Sequence, residues 1–179
     1  MNNTKTLSTL HVGEVFKIGD LEFFKVAEEN GVVSAVCKDI LYRSQFGKSN
    51  DFSKSEILEK LTSEILPKIE AVVGAENVLE FETALLSLDG SAKHGTLKSK
   101  ISIPTFDFYR NNRAVFEKHK VDAWWWLATP DSTSEYYNDN WCVCVAPSGY
   151  IDNDCIYNNN GGVRPILSFV SSISVSCDK

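Results

Sequence analysis

The sequence predicts a single α+β domain, and two changes of hydrophobic period predict it. Short β-branched and aromatic runs between Gly-containing turns fill residues 15 to 37. An apolar repeat of three and four fills the middle, and strict alternation returns after Ala123. The 179 residues, 43% of them apolar, suit one domain with a sizeable core. No linker and no internal repeat divides them.

Residues 1 to 10 are polar and are expected to be a flexible lead-in. Val15–Ile18, Leu21–Val26 and Val32–Cys37 follow as strands, broken at Gly19-Asp20 and Asn30-Gly31. Both breaks tolerate positive φ, so the three strands form an N-terminal β-meander. Ser53-x-x-Glu56 is a capping box opening the first of two central helices. Ile57, Leu58, Leu61, Ile65, Ile69 and Val72 share one face of it, Pro67 kinks or divides it and Gly74 stops it. The second helix runs from about Thr105 to Lys118, burying Phe106, Tyr109, Val115 and Phe116. Between the helices, Val78–Leu86 and Lys100–Ile103 read as short strands or connectors, with a turn at Asp89-Gly90. The C-terminal half is β-rich. Trp124–Leu127, Trp141–Val145, a turn at Pro147-Ser148-Gly149, a returning strand from Tyr150-Ile151 and a last strand Val163–Val170 make it up.

Charge narrows the function. The net charge is −6, and from Trp124 onward the only cations are Arg164 and Lys179, against Asp131, Glu135, Asp139, Asp152, Asp154 and Asp178. Nucleic acid is bound through a basic footprint that displaces counterions, so no nucleic-acid partner is expected. No run reaches the roughly 20 apolar residues of a membrane span, and the first residues lack the apolar stretch of a secretory signal. The expected location is the cytoplasm, or a virion assembled there. The five cysteines contain no CxxC pair, so reduced thiols are expected rather than a disulfide framework or a structural zinc.

Residues 136 to 160 stand apart. Six of the chain's 13 Asn fall here, although Asn and Asp disfavour strand interiors. On an alternating strand Trp141, Val143 and Val145 face the core and Asn140, Cys142 and Cys144 face outward. Ile151 and Ile156 are further anchors. The expected ligand-binding set is Tyr136, Tyr137, Asn138, Asn140, Cys142, Cys144, Tyr150, Asp152, Asn153, Asp154, Tyr157, Asn158, Asn159 and Asn160. Tyr supplies large rigid contact area and Asn or Asp adaptable hydrogen bonding. Changes at the two adenines of an Asn codon yield Tyr, Asp, Ser, Cys and Gly, and this outer set is drawn from those types.

On these motifs the chain resembles the variable proteins of diversity-generating retroelements, common in phages and gut bacteria. The matching stretches are Trp124–Pro130, Asn140-Trp141 with Ser148-Gly149, Gly162–Leu167, and the earlier Gly13-x-x-Phe16-Lys17-Ile18-Gly19. The resemblance implies a C-type-lectin fold of the formylglycine-generating-enzyme subtype. It also implies a non-enzymatic, hypervariable surface whose solvent-facing residues are changed by adenine mutagenesis. Cys142, Cys144 and Cys155 depart from the usual choices for such a face. The expected partner is a macromolecule, protein rather than sugar, and no cofactor is expected.

Other readings stay open from sequence. Asp152-Asn153-Asp154 with Asn158-Asn159-Asn160 offers hard oxygens, as a calcium-dependent lectin would. Cys142 and Cys144 share a strand face, as a copper oxidoreductase of the formylglycine-generating type would use a cysteine pair. Trp124-Trp125-Trp126 reads as core packing with Trp125 the outlier, rather than a sugar-stacking platform. Arg164 reads as a pin on a carboxylate or loop carbonyls, and His11, His94 and His119 as surface or capping residues. Glu56, Glu59, Glu64 and Glu70 read as a solvated helix face.

Overall fold

A computed structural model describes residues 3–133 and 139–177. Among the described residues, fifteen strands and a few helical segments form a mixed α+β fold. β1 (Asn3–Thr6) leads through a 3-10 turn to the antiparallel meander of β2 (Val15–Ile18), β3 (Leu21–Glu29) and β4 (Val32–Cys37). The β3–β4 turn holds Asn30 and Gly31 at φ 50° and 79°, the left-handed pair a two-residue hairpin needs. The flexible lead-in expected over residues 1 to 10 is therefore corrected for residues 3 to 10. β1 pairs with β15 (Ser174–Cys177), and Leu7 and Leu10 are buried. Both strands are short and Ser- or Thr-rich; β1 holds no apolar residue, and β15 alternates over only Val175 and Cys177.

After β5 (Tyr42–Arg43) comes the long helix α1. It is α-helical over Glu56–Lys60, π-helical over Leu61–Ile65 and α-helical again over Leu66–Val73. Ser55, not Ser53, is its N-cap, accepting from the Leu58 N–H at 3.0 Å; Ser53 sits in a preceding 3-10 turn capped by Asp51. The helix continues through Pro67, because the wide turn ahead of it absorbs the missing donor. That wide turn also rotates the apolar stripe. Ile57, Leu61, Ile65 and Ile69 are buried, but Val72 is 57% exposed and Val73 packs in its place.

The chain then forms β6 (Val78–Leu79), β7 (Phe81–Ala84), β8 (Thr96–Ser99) and β9 (Ile101–Ser102). The second helix is interrupted. α2 (Phe106–Asn111), capped by Thr105 Oγ1, ends at Asn112, whose side chain donates back to the Phe108 carbonyl. α3 (Arg113–Phe116) and a 3-10 turn over Glu117–His119 follow. Tyr109 and Phe116 are buried as expected, while Phe106 and Val115 are half-buried.

The C-terminal half supplies β10 (Trp125–Pro130), β11 (Trp141–Val145), β12 (Ile151–Cys155), β13 (Gly162–Val163), β14 (Ile166–Val170) and β15. One sheet has the order β1-β15-β2-β3-β4-β14-β6, with β9 also on β14; a second has the order β12-β11-β10-β13-β5; β7 and β8 form a separate hairpin. The expected last strand from Val163 to Val170 is thus two strands in two sheets, parted at Arg164-Pro165. Arg164 is 1% exposed and locks this crossing. It donates to the carbonyls of Cys37, Lys38 and His119 at 3.1, 2.7 and 3.2 Å, with its guanidinium against the Trp125 and Phe24 rings. Burial draws its pKa down to about 10, which leaves it charged at neutral pH.

Trp126 is fully buried and donates from its indole to the Ser44 carbonyl at 3.0 Å. Gly161 is required opposite it, since a Cβ there would sit 2.0 Å from the indole nitrogen. Trp125 points to the opposite face but is also buried, against Tyr109 and Phe116; the half-buried member of the trio is Trp124. Among the described residues no helix is long and apolar enough to cross a membrane.

Candidate functional site

The candidate surface is built on β12, an edge strand, and on the turns at its two ends. Beside it in the sheet lies β11. Trp141 faces Cys155, Cys142 faces Asp154, Val143 faces Asn153, Cys144 faces Asp152 and Val145 faces Ile151. The alternation along β11 is as expected, but both of its faces are covered. Val143 and Val145 pack with Trp125 and Leu127, while Cys142 and Cys144 pack with Trp126 and Ala128.

The outward orientation expected for Cys142 and Cys144 is therefore corrected: they are 0% and 4% exposed. The Cys142 thiol donates to the carbonyls of Thr129 and Leu127 at 3.1 and 3.4 Å. Burial pushes its pKa well above that of a free thiol, and pushes the Cys144 thiol, with Asp152 and Asp154 nearby, to about 12. A thiolate is the metal ligand and nucleophile, so two protonated, buried thiols are poorly disposed for copper chemistry. Trp141, read as core, is half-buried.

Of the other expected residues, Asn140, Tyr150, Asp152, Asn153, Tyr157, Asn159 and Asn160 are exposed, and Asp154 and Asn158 are half-buried. Tyr150 and Tyr157 are 59% and 55% exposed. Tyr136, Tyr137 and Asn138 lie outside the described residues. Three separate side-chain pairs hold parts of the surface. The Tyr157 hydroxyl lies 3.5 Å from Asn140 Oδ1, Asn153 Nδ2 donates to Asp131 Oδ1 at 3.0 Å, and Asn158 Nδ2 reaches both Asp154 oxygens at 3.3 Å. Ile156, fully buried, pins the turn from below and donates its N–H to the Asn140 carbonyl. At the other end, the Tyr109 hydroxyl donates to the Gly149 carbonyl at 2.8 Å.

The two Asp side chains are engaged locally, since Asp152 and Asp154 accept from the N–H groups of Asn153 and Cys155. Among the described residues no group of three or more His, Cys, Asp or Glu is placed to hold a metal. The surface offers aromatic area and mixed hydrogen-bond donors and acceptors.

A polar cluster that the sequence reading did not single out holds the stems on either side of residues 134–138. Asn50, fully buried, donates to the Ser132 and Trp141 carbonyls. His94 Nε2 lies 3.1 Å from Asn50 Oδ1, and Asp51 lies beyond it, 3.9 Å from His94 Nδ1. Asp89, in the expected turn at Asp89-Gly90, accepts from the hydroxyls of Ser87 and Ser132. Those two bonds hold its carboxyl below the usual carboxylate range. Thr133 Oγ1 donates to Ser91 Oγ at 3.2 Å. The turn signal marked Asp89, but nothing local to Asn50 reveals a reach of 82 and 91 residues.

No curated protein and no solved structure matches the chain. Residues 49–171 match the family described as DUF6273, domain of unknown function. That span begins beside Asn50 and takes in α1, the β7–β8 hairpin and the whole candidate surface, leaving the meander outside it. On a match over well more than half of its length, the chain belongs to the DUF6273 family.

Proposed function

We propose that this chain is a non-enzymatic ligand-binding protein with a C-type-lectin-like fold, its recognition surface formed by β12 and the turns around Asn140, Tyr150 and Asn158–Asn160. One observation carries the reading: exposed Tyr, Asn and Asp side chains on edge strand β12 and its turns stand beside buried Cys142 and Val143 on the paired strand β11 and the buried Ile156 that follows β12. Changing the exposed set leaves the buried set intact, which is what a surface subject to diversification requires. The resemblance to variable proteins of diversity-generating retroelements supplies the source of that change, and with it a place in the cytoplasm or on a virion. A Tyr- and Asn-rich face without clustered cations favours a protein ligand.

The test is deep sequencing of the gene across a population that carries it. Substitutions are expected at adenines in the codons for Asn140, Tyr150, Asp152, Asn153 and residues 157–160. The Cys142, Val143, Cys144, Val145 and Ile156 codons should stay fixed. Sparse variation spread evenly over both sets would refute diversification. In a second arm, an identified protein ligand should lose binding when Tyr150, Tyr157 and Asn159 are all changed to Ala; unchanged binding would remove this surface from the site.

A further inference from the structure

Away from residues 140–160, a cleft of about 370 Å³ opens between the β7–β8 hairpin, the β4–β14 pair and the segment entering α2. That volume falls in the range of small-molecule sites. Its walls are predominantly apolar, with Phe81, Ile103, Pro104, Phe108 and Ile166 contributing. Ser34 and Ser168 also line it, and they are direct cross-strand partners on β4 and β14. The wall formed by β7 adds Thr83, which is 5% exposed and whose hydroxyl is buried with no hydrogen-bond partner.

A buried hydroxyl without a partner costs a folded protein about 1–3 kcal/mol, and native structures rarely carry one without reason. Here the residue that carries the unpartnered group lines an apolar cleft, and three further hydroxyl residues, Ser34, Thr105 and Ser168, line it too. We propose that this cleft binds a small, neutral molecule with an apolar, ring-sized body and one hydroxyl, of the phenol or alcohol class. The body would pack on the Phe81, Phe108 and Ile166 walls, and the hydroxyl would reach the Ser34–Ser168–Thr83 side. Charge sets the class: the lining includes one carboxylate, Glu82, and no Lys or Arg, so a carboxylate or phosphate ligand would enter unpaired. The inference is independent of the recognition surface proposed above.

The experiment uses p-cresol and toluene as probes, which share an apolar body and differ in the hydroxyl, with benzoate as the anionic comparator. Binding is followed by NMR shifts of the full chain. p-Cresol should bind about 3- to 10-fold more tightly than toluene, the worth of one net hydrogen bond, and benzoate should bind more weakly than p-cresol. Shifts should centre on Thr83, Ile103, Phe108 and Ile166. In the Thr83→Val/Ser168→Ala variant the preference for p-cresol over toluene should vanish while toluene still binds, which also shows that the variant's cleft is folded. Equal affinity for the two probes, a preference that survives in the variant, or no shifts with either probe would each overturn the assignment.

Discussion

The side-chain amide of Asn50 donates to the Ser132 carbonyl at 2.6 Å and to the Trp141 carbonyl at 3.0 Å, tying together the two stems that flank residues 134–138. The residue is fully buried, and its Oδ1 is met by His94 Nε2. An Asn→Ala change there would take their amide partner from the Ser132 carbonyl and the His94 imidazole inside the protein, while the Trp141 carbonyl would keep the Asp131 N–H at 3.2 Å. Asn50→Ala should therefore cost about 2–4 kcal/mol, more than a typical surface change, read as a lower urea midpoint at unchanged slope. Amide exchange should speed up at Asn140–Val145 before it does in the meander. A loss below about 0.5 kcal/mol would show that the stems are held by other contacts.

The cysteines provide a sharp test of the corrected surface. Cys142 and Cys144 are closed off between β10 and β12 with their thiols held protonated, and the Cys37 thiol is pushed to about 11 by burial. Cys155, on the edge strand, is half-buried. With iodoacetamide at mildly alkaline pH, mass spectrometry should find Cys155 alkylated first. Cys37, Cys142 and Cys144 should react only after denaturant is added. Rapid native labelling of Cys142 or Cys144 would restore them to the exposed face and overturn the burial of both faces of β11.

The meander was legible because Gly19 and Asn30-Gly31 punctuate runs whose pairing is local. α1 was legible because its apolar stripe persists over four turns, though the π-turn ahead of Pro67 shifted its last contact from Val72 to Val73. β11 misled for a different reason. Alternation of Val with Cys reads as inside and outside, yet a strand covered on both faces needs only residues that tolerate burial on each, and free Cys is among the most buried types. The run Cys142-Val143-Cys144-Val145, with no charge or amide in it, carried that signal. β1 and β15 were illegible because they pair with each other from opposite ends of the chain, and β8 because its run Thr96-Leu97-Lys98-Ser99 holds a single apolar residue.

Two histidines set the pH response. Burial holds His94 below its ordinary value of 6.5; Lys54 and Lys93 act in the same direction, and Asp51 and Asp139 oppose it. His119 is lowered by burial first, with Arg164, Lys38 and Lys118 reinforcing and its contact to the Gly13 carbonyl opposing. The unfolded chain thus takes up protons near pH 6.5 that the folded chain refuses. The stabilisation is complete above that pH and is lost as pH falls through the folded-state values. Asp51 and Asp89, both held below 3.8, respond in the same sense only at lower pH. The melting temperature should therefore drop between about pH 7 and pH 5, and His119→Gln should flatten the profile. A wild-type profile flat across that window would contradict the burial of both rings.

The Asn- and Asp-rich composition of β12 has a use that follows from its place at the sheet edge. Ala146 N–H donates to the Tyr150 carbonyl and Ile156 N–H to the Asn140 carbonyl. By antiparallel alternation Asp152 and Asp154 then bond inward, and Asn153 and Cys155 turn their N–H groups outward. Those two N–H groups are met by Asp152 Oδ1 at 2.9 Å and Asp154 Oδ1 at 2.7 Å. A bare edge would be a template for a second chain, and here two carboxylates occupy its donors and add charge. The tendency of Asp to compete for backbone hydrogen bonds, which weakens an interior strand, protects this one. Asp152→Ala/Asp154→Ala should then self-associate at concentrations where the parent chain does not, read as a rise in mass by light scattering. Asp152→Asn/Asp154→Asn, which keeps an acceptor at each position, should associate less than the alanine pair. An unchanged mass for the alanine variant would mean that strand twist or the flanking turns guard the edge instead.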